Sequence, residues 1–341
     1  MSVLDRFGRR LGTLRISVTD RCNLRCQYCM PEREYAWLPK ADILRFEEVT
    51  RLAGAFVALG VKKLRLTGGE PLLRANLSKL IAQLKALPGL EEIALTTNGM
   101  LLEEQVSSLV EAGLSRVTVS LDTLKEERFV QLTRRSGLAQ VEQGLAAAAA
   151  QPGLGPLKID TVLMRGLNDD ELLDLVEYAG RVPAEIRFIE YMDVGGATTW
   201  RAEDVVSRAE ILERLSARYG QIEPVPGEDG APAERFRLPS GQTVGIIASV
   251  TQPFCRSCDR ARLTADGTWY LCLYAERGYD LRALLRGGAS DAELRGFIEQ
   301  SWAARDDRGA EARLGLRDRA PLVTLRALRS DPRLEMHSRG G

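Results

Sequence analysis

Short β-rich runs alternate with amphipathic helical stretches through the first two thirds of the chain, and this alternation constrains the fold most. We predict strands at residues 14–19, 62–67, 93–97, 116–121, 157–164 and 185–192. The helical patterns cover residues 47–59, 76–87, 103–112, 125–133, 140–149 and 170–180. Such a repeat indicates right-handed βαβ units and a parallel sheet. Periodicity alone fits both an open doubly wound sheet and an incomplete (β/α) barrel.

A change in composition marks a second, smaller region. Residues 224–234, PVPGEDGAPAE, are rich in proline, glycine and acidic side chains and interrupt the pattern. We therefore predict one region over residues 1–225 and another over residues 226–341. The second carries a hairpin signal in RARLTADGTWYLCLY, with its turn at Asp266 and Gly267, followed by helical segments at 291–302 and 306–319.

Charge and composition exclude several classes of function. The 47 basic residues are balanced by 47 acidic ones, so nothing favours a nucleic-acid or membrane partner. His337 is the only histidine, which excludes multi-histidine metal sites, and we expect it at the surface. No signal peptide or long apolar span is present, so we predict a soluble, cytoplasmic protein whose six cysteines are reduced.

The cysteines form two triplets with none between them. Cys22, Cys26 and Cys29 follow the first predicted strand with the spacing CxxxCxxC. Three thiolates on a four-iron cubane leave one iron open to an outside ligand. A zinc ion with a distant fourth ligand, or a chance spacing, is the alternative.

The second triplet consists of Cys255, Cys258 and Cys272. The predicted hairpin pairs residues near 261 and 272, which returns Cys272 to the loop that holds the other two. Here too, three thiolate ligands would leave one coordination position of the metal centre open to an outside ligand. A structural zinc ion with a borrowed fourth ligand fits this spacing as well.

The segment ISVTDRCNLRCQYCMP, together with LTGGEP after the second strand, resembles the radical S-adenosylmethionine (SAM) enzymes. In that superfamily CxxxCxxC holds a 4Fe–4S cluster, and its open iron binds SAM. The reduced cluster cleaves SAM to a 5′-deoxyadenosyl radical. The positions that match SAM-binding residues are Tyr28, Gly69, Ser120 and Met192.

FCRSCDRARL, Cys272 and the terminal Gly340 and Gly341 resemble the GTP 3′,8-cyclase family of molybdenum cofactor (molybdopterin) biosynthesis. The resemblance implies a partial (β/α)6 TIM-like barrel closed on one side by a smaller C-terminal α+β region. It implies a second 4Fe–4S cluster at Cys255, Cys258 and Cys272 that binds guanine. The reaction it implies converts GTP to (8S)-3′,8-cyclo-7,8-dihydroguanosine 5′-triphosphate after abstraction of the ribose 3′ hydrogen.

The same resemblance assigns the substrate and tail positions. The residues that match GTP-binding positions, with Arg187 as a further candidate, are Arg15, Arg65, Thr96, Lys158, Arg187, Arg260 and Arg262. Cations inside apolar strands are costly to bury unpaired, which independently favours a functional role for Lys158 and Arg187, although internal ion pairs are the alternative. The terminal Gly340 and Gly341 would reach into the active cavity and be needed for cyclisation. Arg339 departs from the isoleucine common before this pair.

The family also implies partners: an external electron donor, a homodimer, and cyclic pyranopterin monophosphate synthase as the functional neighbour. A different twin-cluster radical SAM enzyme acting on peptides would need more cysteines after residue 29 than this chain has. A zinc-stabilised binding module or an electron-transfer protein would leave GGEP and the open ligand positions unexplained.

Overall fold

The six predicted strands and the helices between them are confirmed to within a few residues. A computed structural model describes residues 3–32, 34–227, 230–316 and 319–340. The strands are β1 (Thr13–Ser17), β2 (Lys63–Thr67), β3 (Glu92–Thr97), β4 (Arg116–Ser120), β5 (Lys158–Leu163) and β6 (Glu185–Glu190). The helices are α1 (Phe46–Ala58), α2 (Leu77–Lys85), α3 (Leu102–Glu111), α4 (Glu126–Thr133), α5 (Leu138–Ala149) and α6 (Leu172–Arg181).

The strands that follow β6 extend both ends of the same sheet. They are β7 (Glu223–Val225), β8 (Glu234–Arg237), β9 (Thr243–Ile247), β10 (Arg260–Leu263), β11 (Thr268–Tyr270) and β12 (Tyr279–Asp280). The sheet order is β12-β11-β10-β1-β2-β3-β4-β5-β6-β9-β8-β7, and β10 to β9 run parallel. The division into residues 1–225 and 226–341 stays a prediction, since the two parts share this sheet.

The sheet is curled rather than flat, which favours the barrel over the open sheet. Arg65 on β2 and Arg187 on β6 both donate hydrogen bonds to the Thr118 hydroxyl on β4, at 3.1 and 3.3 Å. Along a flat sheet β2 and β6 would lie about 19 Å apart, because neighbouring strands are about 4.8 Å apart. Their side chains therefore meet across a concave interior.

Side-chain alternation makes the two faces of this sheet chemically different. Leu14 and Ile16 on β1, like Leu64 and Leu66 on β2, are fully buried in the hydrophobic core. The intervening residues, among them Arg15, take the opposite face because successive strand residues alternate. The helices thus cover an apolar outer face and leave a polar interior.

Five α-helices follow β6 within the described ranges. They are α7 (Arg208–Tyr219), α8 (Leu281–Arg286), α9 (Asp291–Ala303), α10 (Gly309–Ala312) and α11 (Leu325–Ser330). The 291–302 prediction is confirmed by α9. The 306–319 prediction is confirmed at α10 only and is wrong over most of its length. Beyond α10, Arg313 and Arg319 both donate hydrogen bonds to the Asp193 carboxylate. Residues 317 and 318 lie outside the described residues. No described helix has both the length and the apolar character needed to span a membrane.

The predicted hairpin is present. Arg262 pairs with Tyr270 and Leu263 with Trp269. Continued past the end of β11, this register brings residue 272 opposite residue 260, in agreement with the predicted pairing of residues near 261 and 272.

Candidate active site

The first cysteine triplet lies in the loop after β1, and its three side chains are half-buried. Backbone hydrogen bonds from Arg25 to Thr133 and from Gln27 to Leu132, at 2.9 and 3.0 Å, hold this loop against the end of α4. Burial raises the pKa of all three thiols, to about 11 for Cys22. A coordinated metal cation offsets the cost of ionising these desolvated thiols, because it stabilises the thiolate form. The donor set therefore fits a metal centre.

Within the described ranges, no three or more histidine, cysteine, aspartate or glutamate side chains form a group that could hold a single metal ion. A four-iron cluster takes its thiolates on separate iron atoms and needs no such convergence.

The GGEP loop packs directly on the first cysteine loop. Gly69 donates its N–H to the Thr19 carbonyl at 2.9 Å, and Glu70 donates to the Arg21 carbonyl at 2.7 Å. A Cβ on Gly69 would lie 2.3 Å from the Arg21 oxygen. Glycine is therefore required here by backbone contact.

Glu70 was not among the predicted site residues, although the motif contains it. Its buried carboxylate accepts hydrogen bonds from the Thr97 hydroxyl and the Asn98 N–H, both at 2.7 Å. Burial raises the pKa of Glu70 to about 7. Together with the contacts of GGEP, these bonds join the loops that follow β1, β2 and β3.

The other predicted SAM residues lie at the same edge of the sheet. Ser120 ends β4 and Met192 follows β6. Tyr28 donates to Asp122 Oδ2 at 2.7 Å, and Asp122 Oδ1 accepts the Val162 N–H at 2.9 Å. The carboxyl edge of a parallel barrel is where ligand-binding groups collect.

The second cysteine triplet has a different electrostatic environment. Arg260 Nη2 and Arg305 Nη2 lie 3.5 and 3.7 Å from Cys258 Sγ as hydrogen-bond donors. Burial acts to raise the pKa of Cys258, but Arg260 and Arg305 outweigh it and lower it to about 6. Cys258 is therefore prepared as a thiolate ligand. Arg305 lies in residues 287–333, an arginine-rich segment in which the sequence shows no recognisable motif.

Cys255 and Cys272 complete this triplet. Burial raises the pKa of both thiols. Cys272 packs against the apolar cluster that contains Cys255, and a Cβ on Gly309 would lie 3.4 Å from Cys272 Sγ. The structure therefore brings Cys272 to the Cys255–Cys258 loop, as the sequence predicts.

Cationic side chains line the interior between the two triplets. The register places Arg15 beside Arg65 on one side and beside Arg262 on the other. Burial, then repulsion from neighbouring arginines, lowers the pKa of Arg15, and burial lowers the pKa of Arg65 and of Arg262 to about 10. Like charges held together out of water favour a bound anion.

The remaining predicted GTP residues have protein partners in this interior. Arg187 Nε lies 2.8 Å from Asp160 Oδ1 and Lys158 Nζ lies 3.4 Å from Glu185 Oε1, so the ion-pair alternative holds for both. Arg65 donates to the Thr96 hydroxyl at 3.0 Å. Burial, then repulsion from Arg187, lowers the pKa of Lys158 to about 8.

The C-terminal tail enters this cationic interior. Arg262 Nη1 donates to the carbonyls of Arg339 and Gly340, at 3.1 and 2.8 Å. Gly340 has φ +68°, and a Cβ there would lie 2.2 Å from Thr67 Oγ1. Gly340 therefore lies at the carboxyl end of β2. Gly341 lies outside the described residues.

The chain just before Gly340 is buried, which corrects the surface position expected for His337. His337 is 3% exposed, and its ring meets Tyr35 and Trp37 edge-on, at 5.6 and 6.1 Å between centroids. Burial, and then the positive charge of Arg25, lowers its pKa to about 3. The Arg25 guanidinium, which belongs to the first cysteine loop, lies over the same two rings at 5.6 and 5.5 Å, so the chain end folds back over that loop.

Asp193 also escaped prediction, although it follows β6 directly after Met192. It is fully buried and accepts hydrogen bonds from Arg313 at 2.6 Å and from Arg319 at 2.7 and 2.9 Å. Burial acts to raise the pKa of Asp193, but these two arginines outweigh it and hold the pKa below its ordinary value. Asp193 therefore anchors part of the arginine-rich segment beside the cavity.

Sequence comparisons match nearly the whole chain. The Radical SAM superfamily model matches residues 16–179, and the Molybdenum Cofactor Synthesis C model matches residues 184–311. GTP 3′,8-cyclase 1 of Mycobacterium tuberculosis is 52% identical over an alignment of 343 positions. This alignment covers 99% of this chain and 95% of that protein. GTP 3′,8-cyclase 3 of Mycobacterium bovis is 51% identical over 99% of this chain and 90% of its own length. GTP 3′,8-cyclase of Acidothermus cellulolyticus is 48% identical over 91% and 88%.

Solved structures share the architecture at low sequence identity. Streptococcus suis SuiB bound to S-adenosylmethionine superimposes with a TM-score of 0.57 at 13% identity, over 90% of this chain and 68% of that chain. SuiB bound to precursor peptide SuiA gives 0.56 at 16% identity, over 92% and 69%. At such identities the likeness concerns the fold alone. It confirms the predicted α/β class.

Proposed function

We infer that this chain, which belongs to the GTP 3′,8-cyclase family of radical SAM enzymes, binds GTP in its cationic interior between two cysteine loops. Its reaction converts GTP to (8S)-3′,8-cyclo-7,8-dihydroguanosine 5′-triphosphate in molybdenum cofactor biosynthesis. Its cofactors are two 4Fe–4S clusters and SAM. The observation that carries the site assignment is the desolvated row formed by Arg262, Arg15 and Arg65.

We assign one cluster to each cysteine triplet. Cys22, Cys26 and Cys29 would hold the first, since their burial favours coordination over free thiols. Cys255, Cys258 and Cys272 would hold the second. When SAM is bound, the first cluster would supply the one-electron chemistry for abstraction of the ribose 3′ hydrogen, and the second would bind guanine.

The residues around the first triplet position SAM. Gly69 keeps the GGEP backbone close to the cysteine loop, and Tyr28 is oriented by its hydrogen bond to Asp122. Ser120 and Met192 supply a hydroxyl and an apolar wall at the carboxyl ends of β4 and β6. Each of these contacts fixes geometry, which a radical reaction needs in order to select one hydrogen atom.

The cations of the interior bind the triphosphate and hold the nucleotide in place. Arg15, Arg65 and Arg262 form one continuous row, and a triphosphate placed there relieves their mutual repulsion. Thr96 orients Arg65. Lys158 and Arg187 keep carboxylate partners on β5 and β6, so they shape the opposite wall.

Arg260 links the substrate pocket to the second cluster. Its guanidinium lies 3.5 Å from Cys258 Sγ and 4.6 Å from the centre of the Phe254 ring. It therefore stabilises the thiolate while facing the same interior as Arg262. Gly340 completes the site from the chain end, where Arg262 binds its carbonyl and positions the tail beside the substrate. We propose that Gly341, which lies outside the described residues, is needed with Gly340 for cyclisation.

The wider setting follows from the family. We propose a cytoplasmic homodimer that receives electrons from an external donor, and whose functional neighbour is cyclic pyranopterin monophosphate synthase. Neither a nucleic acid nor a membrane is needed for the reaction.

Anaerobic reconstitution with iron and sulfide, followed by reduction with SAM and GTP, tests this assignment. About eight irons per chain, together with 5′-deoxyadenosine and cyclised GTP by mass spectrometry, is the expected result. About four irons with deoxyadenosine and no GTP product would overturn the role of the second triplet. The variant Arg262→Gln should retain both clusters and lose most GTP conversion.

A further inference from the structure

A buried ionic network ties the N-terminal segment, residues 3–12, to the second cysteine loop. Asp5 Oδ2 lies 2.6 Å from Arg9 Nε and 3.3 Å from Arg305 Nη1. All three side chains are at most 2% exposed. None of these residues belongs to a motif that the proposed function uses, and 300 residues separate Asp5 from Arg305.

The two arginines of this network hold both ends of the Cys255–Cys258 loop. Arg9 Nη1 donates to the Cys255 carbonyl at 2.9 Å and to the Asp307 carbonyl at 2.8 Å. Arg305 Nη1 donates to the Cys258 carbonyl at 2.9 Å. The loop backbone is thus fixed by two guanidiniums that share one carboxylate.

The residues just after the loop contact the same N-terminal segment. Gly12 and Thr13 both donate their N–H groups to the Asp259 carbonyl at 3.1 Å. A Cβ on Gly12 would lie 2.5 Å from Asp259 Oδ2. The segment therefore borders the loop at its start, through Arg9, and at Asp259, the residue just beyond its end.

Stability alone is a poor reason for such a network. A fully buried ion pair returns little net stability, because desolvation offsets the attraction between the charges. The network does provide directional contacts, because each guanidinium donates hydrogen bonds to specific backbone carbonyls. Apolar packing cannot fix a loop in this way.

We propose that Asp5 is a positioning residue for the second iron–sulfur site: through Arg9 and Arg305 it holds the Cys255–Cys258 loop in the shape that receives the cluster. This inference rests on the proposed function for the identity of the cluster. The N-terminal segment is then part of the second site, although it supplies no ligand.

The substitution Asp5→Asn tests this role with little change in volume. Asp5 Oδ1 accepts the N–H groups of Phe7 and Arg9, both at 2.9 Å, and an asparagine oxygen keeps those bonds. The new amide nitrogen would face both guanidiniums and repel them. The matched control is Asp306→Asn, which removes the exposed pair between Arg6 and Asp306 that joins the same two segments.

Hydrogen exchange on the iron-free full chain gives the first readout. With Asp5→Asn, we expect exchange at residues 253–260 to be at least ten times faster than in the wild type, with β2 to β5 unchanged. Asp306→Asn should match the wild type. Equal exchange in Asp5→Asn and the wild type, or acceleration spread over the whole barrel, would overturn the proposal.

Reconstituted protein gives the second readout. Asp5→Asn should lose about half of the bound iron and keep SAM cleavage. Arg9→Gln serves if Asp5→Asn fails to fold, since it frees the Cys255 carbonyl without removing a donor to the Cys258 thiol, and it should produce the same selective loss. Retention of all iron by folded Asp5→Asn and Arg9→Gln would count against the proposal. If the wild type itself binds about four irons, the cluster assignment fails, and the exchange measurement still decides whether Asp5 holds the loop.

Discussion

At the scale of single residues, one step along a strand separates the core from the site. Leu14 and Ile16 are buried under helices, whereas Arg15 between them faces the other arginines of the interior. The sequence predicts this alternation, because period-two patterns set the face of each residue. It did not reveal which cations have carboxylate partners, because pairing depends on register between strands that are far apart in sequence.

We expect the charge of Lys158 to make GTP binding dependent on pH. Its pKa is lowered to about 8, first by burial and then by Arg187, so its positive charge is present below pH 8 and is lost as the pH rises through 8. The GTP dissociation constant of the unreduced protein should therefore increase between pH 7 and pH 9.5. Lys158→Arg should show a flatter profile, because a guanidinium stays protonated. An identical profile in both proteins would contradict this role.

Gly340 should tolerate no side chain. Gly340→Ala would place a methyl group 2.2 Å from Thr67 Oγ1 and hold alanine at φ +68°. The control is Gly288→Ala, which has φ +89° with no atom within 4 Å of the new Cβ. In both variants alanine is strained at a positive φ, which should lower the free energy of unfolding by about 1 kcal/mol and with it the melting temperature. Only Gly340→Ala should lose cyclised GTP while both clusters remain, and loss in both variants would contradict the contact argument.

At the scale of elements, loops carry the chemistry and the secondary structure fixes where those loops meet. The strands β1 to β6 and the helices α1 to α6 are predictable because each shows a clear period. The α7 helix escaped prediction although Ser207 and Glu210 form a capping box at its start, a signal readable in the sequence. The buried positions of His337 and Arg339 were not readable, because only tertiary packing covers a chain end.

The segment 335–340 is the element that joins the two cysteine loops, and Arg339 holds it. Its guanidinium lies 4.0 Å from the Tyr270 ring centre and donates to the Arg333, Leu273 and Ala275 carbonyls at 2.7, 3.0 and 2.6 Å. Arg339→Ile would leave buried carbonyls without donors, at about 1 to 3 kcal/mol each.

We expect Arg339→Ile to release the tail without disturbing the first cluster. Formation of cyclised GTP should fall at least tenfold while deoxyadenosine formation continues. The ratio of deoxyadenosine to cyclised GTP, measured by mass spectrometry, should therefore rise. The exposed Arg329 on α11 provides the control, since Arg329→Gln removes no carbonyl contact. Equal ratios in Arg339→Ile and the wild type would show that isoleucine positions the tail as well as arginine does.

At the scale of the whole molecule, one sheet brings together two loops that lie more than 220 residues apart. The first triplet follows β1, and β10, which follows Cys258, pairs with β1 in parallel. The parallel α/β class could be predicted from the βα repeat, whereas the barrel followed only from the family resemblance. The places of β9 and β10 at its two ends could not be predicted, because short flanking strands carry little periodic signal. His337 meets the two rings that lie over Arg25 in the first loop, and Arg339 contacts the residues after Cys272, so the chain end connects both loops.

This architecture predicts that the two clusters are separable in assembly but joined in catalysis. Cys272→Ala removes a thiol that is held near Gly309, far along the chain from the first loop, so it should keep about four irons and SAM cleavage while losing cyclised GTP. Cys26→Ala should lose SAM cleavage, and with it all product, while the second site still binds iron. Iron analysis, deoxyadenosine yield and GTP conversion on both variants check this. If Cys272→Ala also abolished SAM cleavage with the first cluster intact, the sites would depend on each other before GTP is bound, and the shared tail would be the element through which that dependence acts.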